Sequence, residues 1–179
     1  MTLKNTSNDA FNHNNSDQRM DDEKYMQLAF KQAVLSAKIG EVPIGAVIVD
    51  NKGKIVAHGT NLREKEKTAL GHAELVAIHR ACKKLNSWRL VGCTLYVTLE
   101  PCFMCAGALV QSRISRVVFA THDPKGGALE TLAQLGNDPR LNHRFEITSG
   151  ILANESSLLL KNFFKEKRKK QSFATSNSR

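Results

Sequence analysis

Apolar residues recur at spacings of three and four between Met26 and Ala37, which is the pattern of a helix with one apolar face. The residues that form this face are Met26, Ala29, Phe30, Ala33, Val34 and Ala37. Gly40 follows them and is expected to terminate the helix. We expect the apolar face to pack on a sheet.

A hairpin is predicted directly after this helix. The segments Ile44–Val49 and Lys54–Gly59 have the length and composition of short strands. Between them lie residues 50–53, a four-residue connection with turn-forming residues at both ends. The two strands are therefore expected to pair in antiparallel orientation.

The central part of the chain alternates between helical and strand patterns. Good helix formers run from His72 to Leu85, and proline at the start of a helix predicts a second one from Pro101 to about Gln111. Buried strands are predicted at Thr94–Leu99 and Arg116–Ala120. Crossover helices make neighbouring strands parallel, whereas the hairpin adds an antiparallel pair. The pattern predicts an α/β domain with a mixed sheet.

The two ends of the chain differ from this central part. Residues 1–22 are rich in Asn, Ser and Asp and are predicted to form a disordered tail, because they contain too few apolar side chains to bury. A last helix is expected from near Asn154, and residues 161–170 of it carry six cations and one anion. Residues 171–179 are again predicted to be disordered, so the folded domain is placed at residues 23–170.

Charge and cysteine content narrow the class of protein. The 179 residues carry a formal net charge of +9, which favours a polyanionic partner such as nucleic acid. The chain contains neither a signal-peptide type of apolar region nor an apolar run of about 18 residues, so we expect a soluble cytoplasmic protein without a membrane span. Such a protein has little need of disulfides, and its four cysteines favour metal binding.

Two short motifs carry the candidate chemistry. One is His72-Ala73-Glu74, and the other is the pair Cys102 and Cys105 after Pro101; both stand at predicted helix starts. A helix N-terminus stabilises thiolates, which are good zinc ligands, and the two cysteines project to the same side. His72, Cys102 and Cys105 therefore make three candidate zinc ligands, with Glu74 as a nearby carboxylate.

Three protein ligands leave the fourth tetrahedral position of zinc to water, which is typical of a catalytic site. One alternative is a structural zinc site, but such a site requires a fourth protein ligand. The candidates for it are Cys82, Cys93 and His79, and none of them forms a second compact ligand pair with Cys102 and Cys105. Another is a redox-active cysteine pair. The combination with His72 and Glu74 favours catalytic zinc.

These two motifs resemble the His-x-Glu and Pro-Cys-x-x-Cys signature of the cytidine and tRNA adenosine deaminase superfamily. Residues 95–108 are similar to the corresponding segment of the bacterial tRNA adenosine deaminases, and the similarity extends from about Tyr25 to Arg168. The resemblance implies a cytidine deaminase-like three-layer α/β/α fold with about five strands in a mixed sheet. It further implies one zinc ion per subunit and a homodimer.

The same resemblance implies contacts with substrate. Val42 and Asn61 would contact the flipped base or its ribose. Contacts with neighbouring nucleotides are implied for Glu41, Asp123, Lys125, His143 and the region of Phe163. Each has an ordinary alternative: Asp123 can shape a turn, for example, and Phe163 can pack in the core. The chain departs from the family in having Lys67-Thr68-Ala69-Leu70-Gly71 where an Asp-Pro-Thr-Ala run commonly precedes the metal-binding histidine.

The function implied is hydrolytic deamination of adenosine to inosine at the wobble position of a tRNA anticodon loop. Zinc would activate the water and Glu74 would carry protons from it to the base and to the departing ammonia. A deaminase of free cytosine, cytidine or guanine is the alternative within the same chemistry. A noncatalytic zinc or RNA-binding protein is the alternative from another class, and in such a protein Glu74 would be dispensable.

Overall fold

A computed structural model describes the backbone of residues 7–176 and the side chains of residues 17–172. The helices in this part of the chain are α1 (Ser7–Lys38), α2 (Ala73–Leu85), α3 (Phe103–Gln111) and α4 (Ala153–Ser176). The strands are β1 (Gly45–Val49), β2 (Ile55–Thr60), β3 (Thr94–Leu99), β4 (Arg116–Thr121) and β5 (Glu146–Ser149). Within this range, no helix is both long enough and apolar enough to cross a membrane.

The five strands form one mixed sheet in the order β2-β1-β3-β4-β5. β1 pairs in antiparallel orientation with β2 and β3, while β3, β4 and β5 are parallel. The predicted α/β fold and the hairpin are confirmed. β5 had no individual prediction, because it is only four residues long and lacks fully buried positions, so it produces no strong apolar pattern.

Alternating side chains of the strands build a core on each face of the sheet, as the two-residue period of a strand requires. On one face, Val47 and Tyr96 pack with α1. On the other, Ile48 and Leu95 belong to a larger cluster that includes apolar residues of α2 and α3. α4 contacts β4 on the α1 side. The predicted three-layer α/β/α arrangement is therefore confirmed.

Gly59 shows how closely helix and sheet approach each other near the start of α2. A Cβ atom at this position of β2 would collide with the backbone carbonyl of Ala73 and would also crowd the backbone nitrogen of Ala77. Only glycine lets the strand lie this close to the helix. The first turn of α2 is therefore fixed in its distance from the sheet.

The N-terminal boundary differs from the prediction. The structure describes residues 7–22 as the first part of α1, where the sequence predicts a disordered tail, and residues 1–6 of that tail lie outside the described residues. Residues 17–21 of this segment are exposed, and Met20 among them is 70% exposed, so these residues do not add to the core. Asp22 is the exception, because it is only 2% exposed.

Asp22 joins α1 to the sheet through a set of buried or half-buried polar side chains, which we call the Asp22 network: Asp22, Tyr96, Arg116 and Thr148. Arg116 donates two hydrogen bonds of 2.7 Å to the Asp22 carboxylate. The Tyr96 hydroxyl donates to Asp22 at 2.9 Å, and Arg116 also donates to the Thr148 hydroxyl. Such bidentate pairing compensates the cost of burying the two charges.

The C-terminal boundary differs as well. α4 continues to Ser176, so the structure describes residues 171–176 as helical where the sequence predicts a disordered tail. The predicted disorder of residues 177–179 lies outside the described residues. Lysine, glutamate, arginine and glutamine are good helix formers, which explains why the basic run continues the helix.

Candidate active site

The three predicted metal ligands converge at the N-termini of two helices. His72 is the N-cap of α2, and Cys102 is the N-cap of α3; both have extended backbone with φ near −70°. Cys105 lies in the first turn of α3 and is fully buried. The predicted helix starts place these side chains as the sequence indicates, and the side chain of each cap residue is free of capping bonds to its own helix.

The spacing of the ligand atoms fits zinc. Nδ1 of His72 lies 3.7 Å from Sγ of Cys102 and 3.5 Å from Sγ of Cys105, and all three atoms are within 4.8 Å of one another. A tetrahedral zinc ion with bonds of about 2.0 Å to nitrogen and 2.3 Å to sulfur would separate these ligand atoms by about 3.5 Å. The donor set of one imidazole and two thiols is likewise a typical zinc set.

The two cysteines form a polarised pair. A hydrogen bond from the Cys105 thiol lowers the pKa of Cys102 to about 3, against the opposing effect of burial, and His72 lowers it further. The same hydrogen bond and burial raise the pKa of Cys105. The hydrogen bond to Cys102 raises the pKa of His72, although burial opposes this. A bound cation would displace the protons that form the hydrogen bonds among these three groups.

Glu74 lies beside this cluster with its carboxylate incompletely satisfied. The side chain is 4% exposed, and its Oε2 has no hydrogen-bond partner among the described residues. Burial raises the pKa of Glu74, while its own backbone N–H and the charge of His72 act in the opposite direction. A buried carboxyl with a free oxygen is suited to accepting and releasing a proton.

A groove with a cavity volume of about 820 Å³ leads to His72. Its walls come from the segment after α1, the loop before α2, the loop after β4, and α4. The predicted substrate residues Glu41, Val42, Asn61, Asp123 and Lys125 all line it. The structure therefore brings five of the seven predicted substrate residues together around one opening.

Three of these residues form the wall nearest to β1 and β2. Asn61 is 4% exposed, and its side-chain amide donates to the Val42 carbonyl at 3.3 Å. Glu41 is 1% exposed, and its Oε1 accepts the Lys65 N–H at 2.7 Å. Its Oε2 finds no partner within the described part of the chain. Glu41 is thus a buried acid that anchors the loop before α2.

Asp123 and Lys125 form part of the opposite wall. The Asp123 side chain accepts the Lys125 N–H at 2.9 Å, which is the turn-forming contact proposed as the ordinary alternative for Asp123. Both side chains nevertheless line the groove, and Lys125 is exposed. The turn therefore presents this wall to a ligand.

His143 and Phe163 do not belong to the residues that line the groove. Nε2 of His143 lies 2.6 Å from the Ile114 carbonyl, which matches donation of a hydrogen bond to the backbone. Phe163 packs edge-to-face with Phe164, and it is Phe164, 40% exposed, that lines the groove. The predicted RNA contacts of His143 and Phe163 stay predictions.

Sequence patterns missed several residues of the groove. Arg63, His122, Lys161 and Arg168 add basic or titratable groups to its walls. Spacing on α4 offered a signal for part of this set, because Lys161, Phe164 and Arg168 follow one another at intervals of three and four residues and so share a face. Arg63 and His122 lie in loops, where no periodicity marks the side that faces a site.

Comparison with known proteins agrees with this geometry. Residues 20–168 match the model of the MafB19-like deaminase family. The chain is 53% identical over 156 residues to the tRNA-specific adenosine deaminase of Bacillus subtilis, covering 87% of this chain and 96% of the relative. It is 43% identical over 150 residues to the protein of the same name from Haemophilus influenzae, with 84% and 87% covered.

Solved structures show the same fold. A structure from studies of A-to-I editing by tRNA:A34 deaminases superposes with a TM-score of 0.73 at 39% identity, covering 76% of this chain and 99% of that one. A guanine deaminase from Bacillus subtilis superposes with a TM-score of 0.53 at 31% identity, with 62% and 80% covered. By its metal-ligand motifs, its fold and these similarities, the chain belongs to the MafB19-like deaminase family and groups there with the tRNA-specific adenosine deaminases.

Proposed function

We propose that this deaminase converts adenosine to inosine at the wobble position of a tRNA anticodon loop, with one zinc ion held by His72, Cys102 and Cys105. The observation that carries the proposal is the conjunction of three zinc-compatible ligand atoms with the free, buried oxygen of Glu74 beside them. The names of the relatives support the choice of tRNA adenosine as the substrate.

Zinc, when bound, supplies an activated water near neutral pH by lowering the pKa of that water to about 7. The reaction forms a C6–O bond and breaks the C6–N6 bond, so adenosine and water give inosine and ammonia. Protons must move from the water to the ring and to the leaving amine. Glu74 carries them, because its Oε2 is unpaired within the described structure and its pKa is raised by burial.

The groove supports a nucleotide chain as substrate. Its volume of about 820 Å³ lies in the upper part of the range for drug-sized ligands, which is more than a free base needs. Lys125, Lys161 and Arg168 place positive charge at its walls, where phosphates would pass, and Phe164 offers an exposed ring for stacking. An adenosine in a loop is already partly unstacked, so extruding it costs less than opening a duplex.

Within the groove, the buried wall suits the base and the exposed wall suits the flanking nucleotides. Val42 and Asn61 lie on the buried side, just before β1 and just after β2, and would contact the base or ribose. Glu41 contributes an unpaired acceptor oxygen to the same side. Asp123 and Lys125 would contact neighbouring nucleotides, and a ribose hydroxyl is the natural partner of the Asp123 carboxylate.

A substrate comparison tests the proposal. The zinc-loaded protein is incubated with an anticodon stem-loop that contains adenosine at the wobble position, with the same stem-loop carrying that adenosine in the stem, and with free adenosine, cytidine, cytosine and guanine. We expect inosine from the first RNA and none from the matched control. Deamination of free bases or nucleosides without product from the stem-loop would contradict the tRNA assignment in favour of the free-base alternative.

A second measurement separates the enzyme from a noncatalytic zinc protein. Metal analysis of the purified protein should give one zinc ion per chain, and removal of zinc should abolish inosine formation, which returns when zinc is restored. A folded, zinc-loaded protein that deaminates none of the substrates would contradict the catalytic assignment. The predicted homodimer and cytoplasmic location belong to the same proposal, and sedimentation of the zinc-loaded protein tests the former.

A further inference from the structure

Glu100, the residue that follows β3, has a buried carboxylate that takes part in neither the proposed metal binding nor the proposed proton transfer. Its side chain is 2% exposed and lies two residues before Cys102. Its Oε1 accepts the backbone N–H groups of residues 129, 130 and 131 at 3.1, 2.8 and 3.0 Å. Its Oε2 accepts the Asp123 N–H at 3.1 Å and the hydroxyl of Thr131. All five donors lie in residues 123–131.

This arrangement requires a carboxylate rather than a side chain that only fills space. Each of the five contacts has its donor outside Glu100, so both of its oxygens act as acceptors. No ion pair within the described side chains includes Glu100, so these donors alone compensate its buried charge. An apolar residue could pack here, but it would not fix the directions of four backbone amides.

The segment that Glu100 holds touches the metal site at one point. Gly127 forms an antiparallel bridge with Cys102, and the Ala128 N–H donates to the Pro101 carbonyl at 2.9 Å. A Cβ atom at Gly127 would collide with the Glu100 carboxylate. The segment is therefore docked directly on the residues that lead into α3.

At its other end, the same segment forms a wall of the groove. Asp123, Pro124 and Lys125 line the opening that leads to His72. The Asp123 N–H bonded to Glu100 and the Asp123 side chain bonded to the Lys125 N–H make this turn a direct continuation of the Glu100 contacts. A single carboxylate thus fixes the wall relative to the metal ligand Cys102.

We propose that Glu100 is a positioning residue that sets the distance between the metal centre and the substrate wall at Asp123–Lys125. It contacts no reacting atom and acts through the backbone of residues 123–131. Its effect on substrate rests on the proposed function, because the wall is assumed to meet the RNA. Its effect on the segment itself does not depend on the identity of the substrate.

The variant Glu100→Gln tests this with almost no change in shape. One amide oxygen can continue to accept from residues 129–131, but the new NH2 group then faces the Asp123 N–H, and two donors cannot bond to each other. In the zinc-loaded protein, we expect the Asp123 amide to exchange its hydrogen about tenfold faster, since a buried N–H loses its acceptor. Nuclear magnetic resonance resolves this amide from those of residues 129–131.

The kinetic expectation separates positioning from chemistry. For the anticodon stem-loop, KM should rise about tenfold with kcat within about threefold of the wild type, because the wall moves while Glu74 and the ligands stay. Zinc content should be unchanged. An unchanged exchange rate of the Asp123 amide would overturn the proposal, and so would an unchanged KM or a fall in kcat with constant KM.

Two further variants keep the test decisive. Thr131→Val removes one hydroxyl donor and keeps the carboxylate, so it should fold and show the same changes to a smaller extent. Ile48→Val shortens a fully buried side chain of β1 that lies outside this segment. It lowers the unfolding free energy without touching Glu100, so an equal rise in KM in this control would assign the effect to general destabilisation and overturn the proposal.

The outcome for Glu100 is distinguishable from that for the proposed function. If the wild type makes no inosine from the stem-loop, the proposed function fails. Hydrogen exchange needs no substrate, so an unaltered Asp123 amide in Glu100→Gln would still refute the positioning role. Faster exchange of that amide would still support the role of Glu100 in holding residues 123–131 in place.

Discussion

A buried acid lies near each end of the parallel strands β3 and β4, but the two carboxylates differ in how completely they are hydrogen-bonded. Where the strands begin, at the pair Thr94 and Arg116, the carboxylate of Asp22 is closed off by side-chain donors from α1 and the sheet. Where they end, beyond Leu99 and Thr121, Glu74 keeps an oxygen without a partner among the described residues. A satisfied acid holds elements together, whereas an unsatisfied one is available to a substrate.

This contrast predicts that substitutions at the two ends separate activity from stability. Changes near Glu74 should alter turnover with little effect on unfolding. Changes in the Asp22 network should alter unfolding with little effect on turnover.

Glu74→Gln should reduce kcat by about 10³-fold, equivalent to about 4 kcal/mol, because the amide keeps the shape of the side chain and cannot carry protons. The zinc content and the urea unfolding midpoint should stay close to those of the wild type. Glu64→Gln is the matched control, since Glu64 lines the same groove but is not one of the candidate metal ligands. A Glu74→Gln enzyme with more than a tenth of wild-type turnover would end its assignment as proton carrier.

Asp22→Ala should lower the free energy of unfolding by about 3 kcal/mol, because it leaves the buried Arg116 guanidinium without its partner. At a temperature where the variant is folded, kcat should remain within about twofold of the wild type, since a lost ion pair at the far end of the strands changes no catalytic group. The neighbouring Glu23→Ala is the control. Its ion pair with Arg19 is exposed and should contribute less than about 1 kcal/mol. Urea titrations of both variants measure the difference, and equal losses would contradict it.

Tyr96→Phe removes one hydrogen bond to Asp22 and leaves the Arg116 pair in place. The expected loss in unfolding free energy is about 1.5 kcal/mol, the usual contribution of a hydrogen bond to a charged group. A double variant with Asp22→Ala should lose less than the sum of the two single losses, because both act on one contact. Strict additivity in urea unfolding would show that the hydroxyl and the carboxylate do not cooperate.

Lys161→Ala should weaken binding of the anticodon stem-loop about threefold, since it removes one cation from the groove wall. The slope of log K against log salt concentration should become shallower by about 0.7, the value for one phosphate contact in a single strand. Lys31→Ala on the exposed side of α1 is the control. If both variants change the slope equally, the groove has no special role in meeting phosphates.

The candidate metal site could be predicted from sequence because its ligands stand at helix starts that the sequence itself marks. Cys102 and Cys105 lie within a single helical turn, and His72 stands at the start of a recognisable helix, so two short motifs define the three ligands. The sheet could be predicted because apolar runs and the turn at residues 50–53 mark the strands. Only β5, with no fully buried position, gave no such mark.

The remaining features depend on tertiary contacts that leave no local pattern. Asp22 lies in a polar run that predicts disorder, and its burial results from Arg116, 94 residues further along the chain. Which of Phe163 and Phe164 faces the groove depends on how α4 is rotated on the sheet. In the sequence, Glu100 looks like any acidic residue before a proline. Three of its donors are backbone amides, which every residue except proline has, so they leave no signal in the sequence.

The contact between Gly59 and the backbone of α2 has a consequence for engineering this enzyme. Position 59 belongs to neither the metal ligands nor the groove, so a library built around the substrate would pass over it. Yet any replacement must push the strand and the helix apart, and His72 caps the end of that helix. Among the clones of a random library that keep deaminase activity, we expect residue 59 to remain glycine while several residues that face the substrate vary.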